Sequence, residues 1–319
     1  MINSGETTIG QKTKKQQIED RVRMLLVDNG FQEMCSYSFI GKKELDKCNI
    51  LEDHQLYENA VKVKNPLGED FSIMRPTMLS SILQSLATNY SRKNKNVSLF
   101  EIGRTFLDRE KNLEKEELSE EIFNISFGAY GEDVDFYTIK NIIENILEVT
   151  GIARYNLEKE NLDVSMHPGK TAKILVGSDV IATFGEVHPG VVERYDIGEK
   201  VYFAVMDLDK LVKYGKQNKK YSPVPKYPAI ERDMAIIIDE DTEVGEIEKI
   251  ALNKCKNILE STEIFDIYRN EKLGENKKSV AYSLKFRATD RTLTDDEVNA
   301  SMNEIVEALQ KELNAELRR

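Results

Sequence analysis

The fold of the first part of the chain is decided by residues 96–110, which read NVSLFEIGRTFLDRE. Phe100, Ile102 and Phe106 belong to a dense run of β-branched and aromatic residues, which is typical of a largely buried strand. Gly103 lies inside this run, and a glycine within a strand often lets a ligand or another backbone come close. We therefore expect a packed strand near the centre of a sheet, with a candidate binding position at its glycine.

The composition limits the class of protein. A chain of 319 residues is long enough for two domains with separate cores. The net charge of −11 excludes a generally basic nucleic-acid binder, although a local basic patch can still bind RNA. The three cysteines have no paired spacing, which suits a reducing compartment, and no apolar run reaches the roughly 18–20 residues of a membrane span. We expect a soluble cytoplasmic protein without a signal peptide.

Helical and strand patterns alternate through the first two thirds of the chain. Apolar spacing predicts helices over residues 14–29, 42–48, 77–91, 139–150 (capped by Asp135 or Thr138) and after Pro189. Strands are predicted over residues 31–39, 60–64, 97–110, 121–130, 172–176, 180–187 and 201–206. The charged stretch Asp108–Glu121 is expected to be an exposed loop or hairpin tip. Together these elements predict a domain at residues 1–212, mixed α/β or α+β, built on one large sheet.

A second domain is predicted after a connector at residues 213–228, which contains glycine, several lysines and two prolines. Residues 229–319 show strand, helix, strand, strand, helix and strand in turn, the order of a ferredoxin-like unit. The first helix is expected to open at Thr242, and Thr294 with Glu297 forms a capping box for the second. The first ten residues are polar and aperiodic, and we expect them to be the cut end of a longer chain.

The third strand of the second domain separates its side chains between two faces. Val280, Tyr282, Leu284 and Phe286 alternate with Ser279, Ala281, Ser283, Lys285 and Arg287. The second set is expected on an open sheet face, which either receives RNA or is simply a solvated face. Residues 221–319 contain 15 lysines and arginines against 21 aspartates and glutamates, so RNA contact must be local. The obvious basic cluster is Arg269, Lys272, Lys277, Lys278, Lys285, Arg287 and Arg291.

Motifs in both domains carry a resemblance to one family, and they run in that family's order. In the second domain they are Tyr227-Pro228, Arg232-Asp233, Phe265-Asp266-Ile267-Tyr268, Ser279, Tyr282, Phe286 and Asp290-Arg291-Thr292-Leu293-Thr294-Asp295. In the first they are Gly30-Phe31-Gln32-Glu33, Tyr37-Ser38-Phe39, Asn65-Pro66-Leu67, Met74-Arg75-Pro76 and Leu99-Phe100-Glu101-Ile102-Gly103-Arg104. The chain resembles the C-terminal part of the β subunits of bacterial phenylalanyl-tRNA synthetase. That family's upstream oligonucleotide-fold, editing and DNA-binding-like modules have no counterpart in this sequence.

The resemblance implies both a fold and a function. The implied fold is α+β: a class II synthetase-like, mostly antiparallel sheet with helices, followed by a ferredoxin-like βαββαβ domain. The implied function is to support a catalytic α subunit, in an assembly of two α and two β subunits, and to bind tRNA(Phe) near its anticodon. ATP and Mg²⁺ are implied for the whole assembly and no cofactor for this chain. The tRNA-binding candidates are Tyr227, Arg232, Tyr268, Arg269, Lys277, Lys278, Lys285, Arg287 and Arg291.

The strand at residues 97–110 also resembles the ATP-binding strand of class II synthetases, but its motif is degenerate. Active members place an arginine directly after the phenylalanine, because adenylation builds negative charge at the α-phosphate. That position is Leu107 here, and strand alternation puts Arg104 on the opposite side. The second ATP-binding arginine of the class, in a Gly-x-Gly-x-Gly-x-x-Arg segment, has no counterpart. We therefore assign no catalytic residue and expect no adenylation by this chain alone.

Other candidate sites are weaker, and two alternative functions stay open. Cys35, Cys48 and His54 are too loosely spaced for a metal site and lack a fourth ligand, so no metal is expected. The repeated segments His167-Pro168-Gly169 and His188-Pro189-Gly190 are expected to be turns, since neither has an identifiable catalytic partner. The first alternative is a self-sufficient class II ligase with displaced arginines. The second is a stand-alone regulatory or scaffolding paralogue that binds protein and not tRNA.

Overall fold

The computed structural model describes residues 10–108, 119–216, 223–255, 257–270, 273–274 and 276–318. The chain divides into a first compact unit, Met1–Lys219, and a second, Lys220–Arg319. Most of the expected loop at 108–121, the middle of the expected connector and Lys272 lie outside the described residues. None of the helices in the described ranges combines the length and the apolar composition that a membrane crossing requires.

The first unit is built on a large sheet. Its helices are α1 (Lys14–Asp28), α2 (Lys42–Lys47), α3 (Gln55–Glu58), α4 (Leu79–Ser91), α5 (Phe136–Thr150), α6 (Pro189–Arg194) and α7 (Leu208–Tyr214). Its strands are β1 (Gln32–Glu33), β2 (Phe39–Ile40), β3 (Ile73–Met74), β4 (Val97–Leu107), β5 (Glu120–Tyr130), β6 (Asn156–Lys159), β7 (Met166–Val176), β8 (Asp179–Val187) and β9 (Tyr202–Asp207). The sheet order is β1-β4-β5-β9-β8-β7-β6, with β2 paired to β3 elsewhere. Only β1 and β4 pair in parallel among these strands, which confirms the mostly antiparallel sheet.

Strand β4 is packed between two helical layers. Phe100 points into a core shared with α1, α5 and α7, and this side of β4 is called the α5 face. Leu99 points the opposite way, into a core that includes Leu83 of α4, and this side is called the α4 face. Because side chains alternate along an extended strand, Glu101, Gly103 and Leu107 share the α4 face with Leu99. The expected buried strand is confirmed, and helices cover both of its faces. Its expected place near the centre of the sheet is wrong, because β4 is second in the strand order, beside the two-residue edge strand β1.

Local sequence sets the ends of α5 as expected. The carboxylate of Asp135 accepts a 2.7 Å hydrogen bond from the Thr138 amide, and the two residues form a capping box. That hydrogen bond from the Thr138 amide keeps the pKa of Asp135 below its ordinary value. At the other end Gly151 has a φ of +78°, and a Cβ there would lie 2.1 Å from the Lys216 carbonyl oxygen. Only glycine fits this helix end.

Two expected strands of the first unit are wrong, and the short elements α3 and β3, strand β6 and helix α7 were not predicted. Residues 31–39 form only β1 and β2, because Ser36 between them turns to donate its amide and hydroxyl to the Glu101 carboxylate. Residues 60–64 form only isolated bridges and no strand. Strand β6 was missed because all of its residues are exposed and give no apolar alternation. Helix α7 was missed because it starts at the end of β9, and it overlaps the expected connector at 213–228.

The second unit has the expected ferredoxin-like order. Its elements are β10 (Ile230–Asp239), α8 (Val244–Lys254), β11 (Leu259–Tyr268), β12 (Lys277–Phe286), α9 (Asp295–Leu313) and β13 (Glu316–Leu317). The antiparallel sheet runs β11-β12-β10-β13, and residues of both helices share its core. The capping box of Thr294 and Glu297 is present, whereas α8 starts after Glu243 and not at Thr242. The apolar residues of β12 are at most 1% exposed, which confirms the predicted core face: Val280, Tyr282, Leu284 and Phe286.

Candidate functional site

The α4 face of β4 carries a buried ion pair. Arg75 is 2% exposed, and its Nη1 lies 3.0 Å from Oε1 of Glu101, which is 4% exposed. The same guanidinium donates to the Ser36 hydroxyl at 2.7 Å and, through Nε, to the Arg104 carbonyl oxygen at 2.8 Å. The Ser36 hydroxyl in turn donates to Glu101 at 2.6 Å. This closed network joins β4 to the segments before β2 and before α4.

The network explains the glycine in the deciding stretch. A Cβ on Gly103 would lie 2.4 Å from Nη2 of Arg75 and 3.1 Å from Oε1 of Glu101. The open space beside this glycine is therefore filled by the guanidinium of the chain itself. The expected close approach at Gly103 is present, and it is made by the Arg75 side chain.

The degenerate ATP motif divides between the two faces of β4. Arg104 lies on the opposite face from Leu107, since β4 and β5 pair without a bulge from Val97 to Leu107. Its guanidinium forms an ion pair with Glu121 at 2.9 Å and lies 5.5 Å from the centre of the Phe123 ring. On the face of Leu107, the guanidinium of Arg75 lies beside Gly103, and Glu101 neutralises it. The described part of the strand offers no free cation to a phosphate.

The surroundings of the histidine candidates and of Cys48 fit a structural role and not a catalytic one. Nδ1 of His167 accepts a hydrogen bond from the Gly169 amide, and Nδ1 of His188 accepts one from the Gly190 amide, both at 3.1 Å. The second of these histidines caps α6. Burial raises the pKa of the Cys48 thiol to about 12, so this thiol stays protonated. Within the described residues no group of histidine, cysteine and carboxylate side chains has the arrangement of a metal site.

In the second unit, the sheet face away from the helices is called the open face. It carries Lys277, Lys285 and Arg287, and each of these cations faces a carboxylate: Glu316 at 2.9 Å, Glu231 at 3.9 Å and Glu260 at 2.6 Å respectively. The other predicted arginines are paired in the same way: Arg232 with Asp295, Arg269 with Glu240, and Arg291 with Glu297. The Arg291 guanidinium keeps the pKa of Glu297 below its ordinary value. Five members of the predicted basic cluster are therefore neutralised in ion pairs: Arg269, Lys277, Lys285, Arg287 and Arg291.

Lys278 departs from the expected exposed cluster. It is only 8% exposed and shares the helix-covered side of β12 with Val280. Its Nζ donates a 2.6 Å hydrogen bond to the Glu240 carbonyl oxygen. The predicted basic cluster includes Lys278, but the structure covers its side chain. Strand alternation was the available signal, because 278 and 280 have the same parity.

The open face also has an aromatic feature. Tyr268 is opposite Ser279 in the sheet and is 39% exposed. The guanidinium of Arg318 lies 4.9 Å from the centre of the Tyr268 ring and 3.4 Å from the Ser279 hydroxyl oxygen. Tyr227, another predicted residue, takes part through its backbone, because its carbonyl oxygen accepts from Nη1 of Arg287 at 2.8 Å. Sequence reasoning singled out Tyr268 but missed Arg318, which follows β13 and shares the parity of Glu316 on the open face.

Comparisons with known proteins agree across both units. The family model described as "Phenylalanyl tRNA synthetase beta chain CLM domain" matches residues 2–208, and "Ferredoxin-fold anticodon binding domain" matches residues 225–318. The phenylalanine–tRNA ligase beta subunit of Clostridium tetani is 43% identical over 318 residues, covering 100% of this chain and 39% of that protein. The corresponding subunit of Fusobacterium nucleatum is 36% identical, covering 100% of this chain and 40% of its own length. The chain thus spans about two fifths of these relatives.

A solved structure shows the same fold at low sequence identity. The crystal structure of pyrrolysyl-tRNA synthetase from Desulfitobacterium hafniense superposes with a TM-score of 0.52 and 18% identity. The match covers 64% of this chain and 70% of that one. At this identity the likeness establishes a synthetase-like architecture and no more.

Proposed function

This chain belongs to the phenylalanyl-tRNA synthetase β-chain family, and we propose that it supplies a non-catalytic core and an anticodon-binding unit to a cytoplasmic phenylalanine–tRNA ligase. The observation that carries this proposal is the match of two family models, in order, to residues 2–208 and 225–318. The first unit is an assembly surface for the catalytic α subunit, in a complex of two α and two β subunits. ATP and Mg²⁺ are bound by the assembly, with activation of phenylalanine on α.

The geometry of β4 supports a non-catalytic role for the first unit. Adenylation needs a fixed cation aimed at the α-phosphate. On the α4 face Leu107 carries no charge, and Arg75 is committed to Glu101 at 3.0 Å. Arg104 faces the other way and is paired with Glu121. A nucleotide approaching Gly103 would also meet the Arg75 guanidinium, which fills the space beside that glycine.

We expect the purified chain alone to give no phenylalanine-dependent ATP–pyrophosphate exchange above the rate measured without phenylalanine. The same preparation, mixed with the catalytic α subunit of a relative, is the positive control and should restore exchange. Exchange by the chain alone that is lost in Arg104→Ala would contradict the proposal, because it would establish a ligase that uses displaced arginines.

The open face of the second unit is the proposed contact for the anticodon region. Single-stranded bases stack on exposed aromatic rings and guanidinium planes, and Tyr268 with Arg318 offers both. Lys277, Lys285 and Arg287 lie around this platform and are held in place by their carboxylate partners. Phosphates there compete with protein carboxylates, so these cations orient the RNA more than they release counterions.

The triple variant Lys277→Ala, Lys285→Ala, Arg287→Ala is expected to weaken tRNA(Phe) binding by about tenfold or more, since it leaves three carboxylates facing the phosphates. Binding is measured by fluorescence anisotropy with labelled tRNA(Phe) transcript. The matched control removes three exposed cations from the helical layer, as Lys249→Ala, Lys254→Ala and Lys311→Ala. Equal affinities for the triple variant and the unmodified chain would place the tRNA contact away from the open face.

A further inference from the structure

The turn between α4 and β4 holds a group of unneutralised cations. Arg92, Lys93 and Lys95 are exposed, and within the described residues none of the three has an ion-pair or side-chain hydrogen-bond partner. This differs from the open face of the second unit, where carboxylates neutralise the predicted cations. Residues 91–96 read SRKNKN and are called the basic turn. They contain three cations and no acidic residue, in a chain whose net charge is −11.

The basic turn is held by hydrogen bonds of its backbone and of its asparagine side chains. The Tyr130 hydroxyl donates to the Asn94 carbonyl oxygen at 2.9 Å, and the Asn94 amide group donates to Asn89 Oδ1 at 2.9 Å. On the other side, Oδ1 of Asn96 accepts from the Glu132 backbone amide at 3.2 Å. The cations therefore project from a fixed loop, which lowers the entropy lost when they bind a partner.

Lys93 occupies a backbone position that favours glycine. Its φ is +67°, in the left-handed region that follows many helix ends. A non-glycine residue there is uncommon and costs conformational energy. A lysine in this strained, exposed turn makes no packing contact among the described residues that explains it, whereas its charge is available to a partner.

A cavity of about 570 Å³ adjoins the basic turn and identifies the kind of polyanion that fits. Its lining combines Lys93 and Lys95 with the exposed carboxylates of Glu132 and Glu199. An acidic protein would bring its own carboxylates against these two. RNA fits both charges, since its phosphates pair with the lysines and its ribose 2′-hydroxyls can donate to the carboxylates.

We propose that the basic turn of the first unit is a second RNA-binding surface, which contacts the phosphate–ribose backbone of tRNA without reading its sequence. That the RNA is tRNA rests on the proposed function. That the basic turn contacts RNA does not depend on it. Because none of these cations forms an ion pair within the described residues, they contribute most of the counterion release when RNA binds. The open face of the second unit contributes mainly stacking and orientation.

The test compares two triple variants of the full chain, each of which removes three positive charges. The test variant is Arg92→Gln, Lys93→Gly, Lys95→Gln, in which glycine suits the left-handed position and so protects the fold. The control is Lys43→Gln, Lys62→Gln, Lys64→Gln, all exposed lysines of the first unit. The probes are tRNA(Phe) transcript, an RNA hairpin of unrelated sequence, and a DNA hairpin of that same unrelated sequence.

For the test variant, we expect the slope of log affinity against log salt concentration to flatten by about 2–3, close to one per phosphate contact. Affinity at low salt should fall more than tenfold for both RNAs, while the control variant keeps most of the slope. The unmodified chain should prefer the RNA hairpin to the DNA hairpin, and Glu132→Ala with Glu199→Ala should reduce that preference.

An unchanged salt slope in the test variant overturns the inference. If the open-face variant still weakens tRNA binding in that case, the proposed function stands without the basic turn. A different result keeps the inference and contradicts the anticodon proposal. In it, the test variant loses hairpin binding but still restores exchange with the α subunit, and the unmodified chain shows no preference for tRNA(Phe) over the hairpin. Equal competition by polyglutamate and by RNA overturns the choice of RNA. A lower thermal stability with unchanged RNA affinity would show that the cations only cap the carboxyl end of α4.

Discussion

Replacing Glu101 with alanine is expected to destabilise the first unit by about 3–5 kcal/mol, the usual cost of removing one member of a buried ion pair. Arg75 would keep its charge at 2% exposure, with only hydroxyl and carbonyl oxygens around it. Ser36 would lose its acceptor on Glu101 as well. The measurement is differential scanning calorimetry, which resolves the transition of the first unit.

Two further variants separate charge from packing at this network. Arg104→Ala removes an exposed ion pair with Glu121 and should cost at most about 1 kcal/mol. The double variant Arg75→Met, Glu101→Leu replaces both partners with apolar groups and should recover most of the loss. If Glu101→Ala lowers the free energy of unfolding by less than Arg104→Ala does, the buried pair does not hold β4 to its neighbours.

Much of the fold could be predicted from local sequence. The ends of α5 and α9 follow from Asp135, Gly151 and Thr294, whose side chains or backbone act on residues close in the chain. The missed elements lack such signals. Strand β6 is exposed throughout and exists because β7 pairs with it, so its sequence carries no alternation. Ser36 leaves the expected strand for a partner 65 residues away, which no local pattern reveals.

The candidate sites were predictable to a different degree. Strand alternation correctly divided the side chains of β12, and the same rule applied to Lys278 would have shown that it is covered. The neutralisation of the open face could not be predicted, because it depends on register: β10 places Glu231 opposite Lys285. The meaning of Gly103 was also hidden, since its neighbour Arg75 comes from a segment 28 residues earlier.

Gly103→Ala is expected to destabilise the first unit by about 1–3 kcal/mol, the usual cost of overpacking a filled site. The new methyl group would lie 2.4 Å from Nη2 of Arg75, at the end of a side chain that is normally free to move. Here it is not free, because hydrogen bonds to Ser36, Glu101 and the Arg104 carbonyl hold the guanidinium. Calorimetry of the variant measures the cost, and Gly68→Ala, whose Cβ would meet nothing within 4 Å, is the matched control.

The clash expected in Gly103→Ala and the claim that Arg75 fills the space beside Gly103 rest on the same contact. One double-mutant cycle can therefore test both. In an Arg75→Met background the Nη2 atom is absent, and the cost of Gly103→Ala should fall by at least about 1 kcal/mol, as for residues in direct contact. A neutral Gly103→Ala in the unmodified chain would mean that the space beside this glycine is open. An open space is what a nucleotide would need on the α4 face, and the geometric argument against adenylation by this chain would then fail.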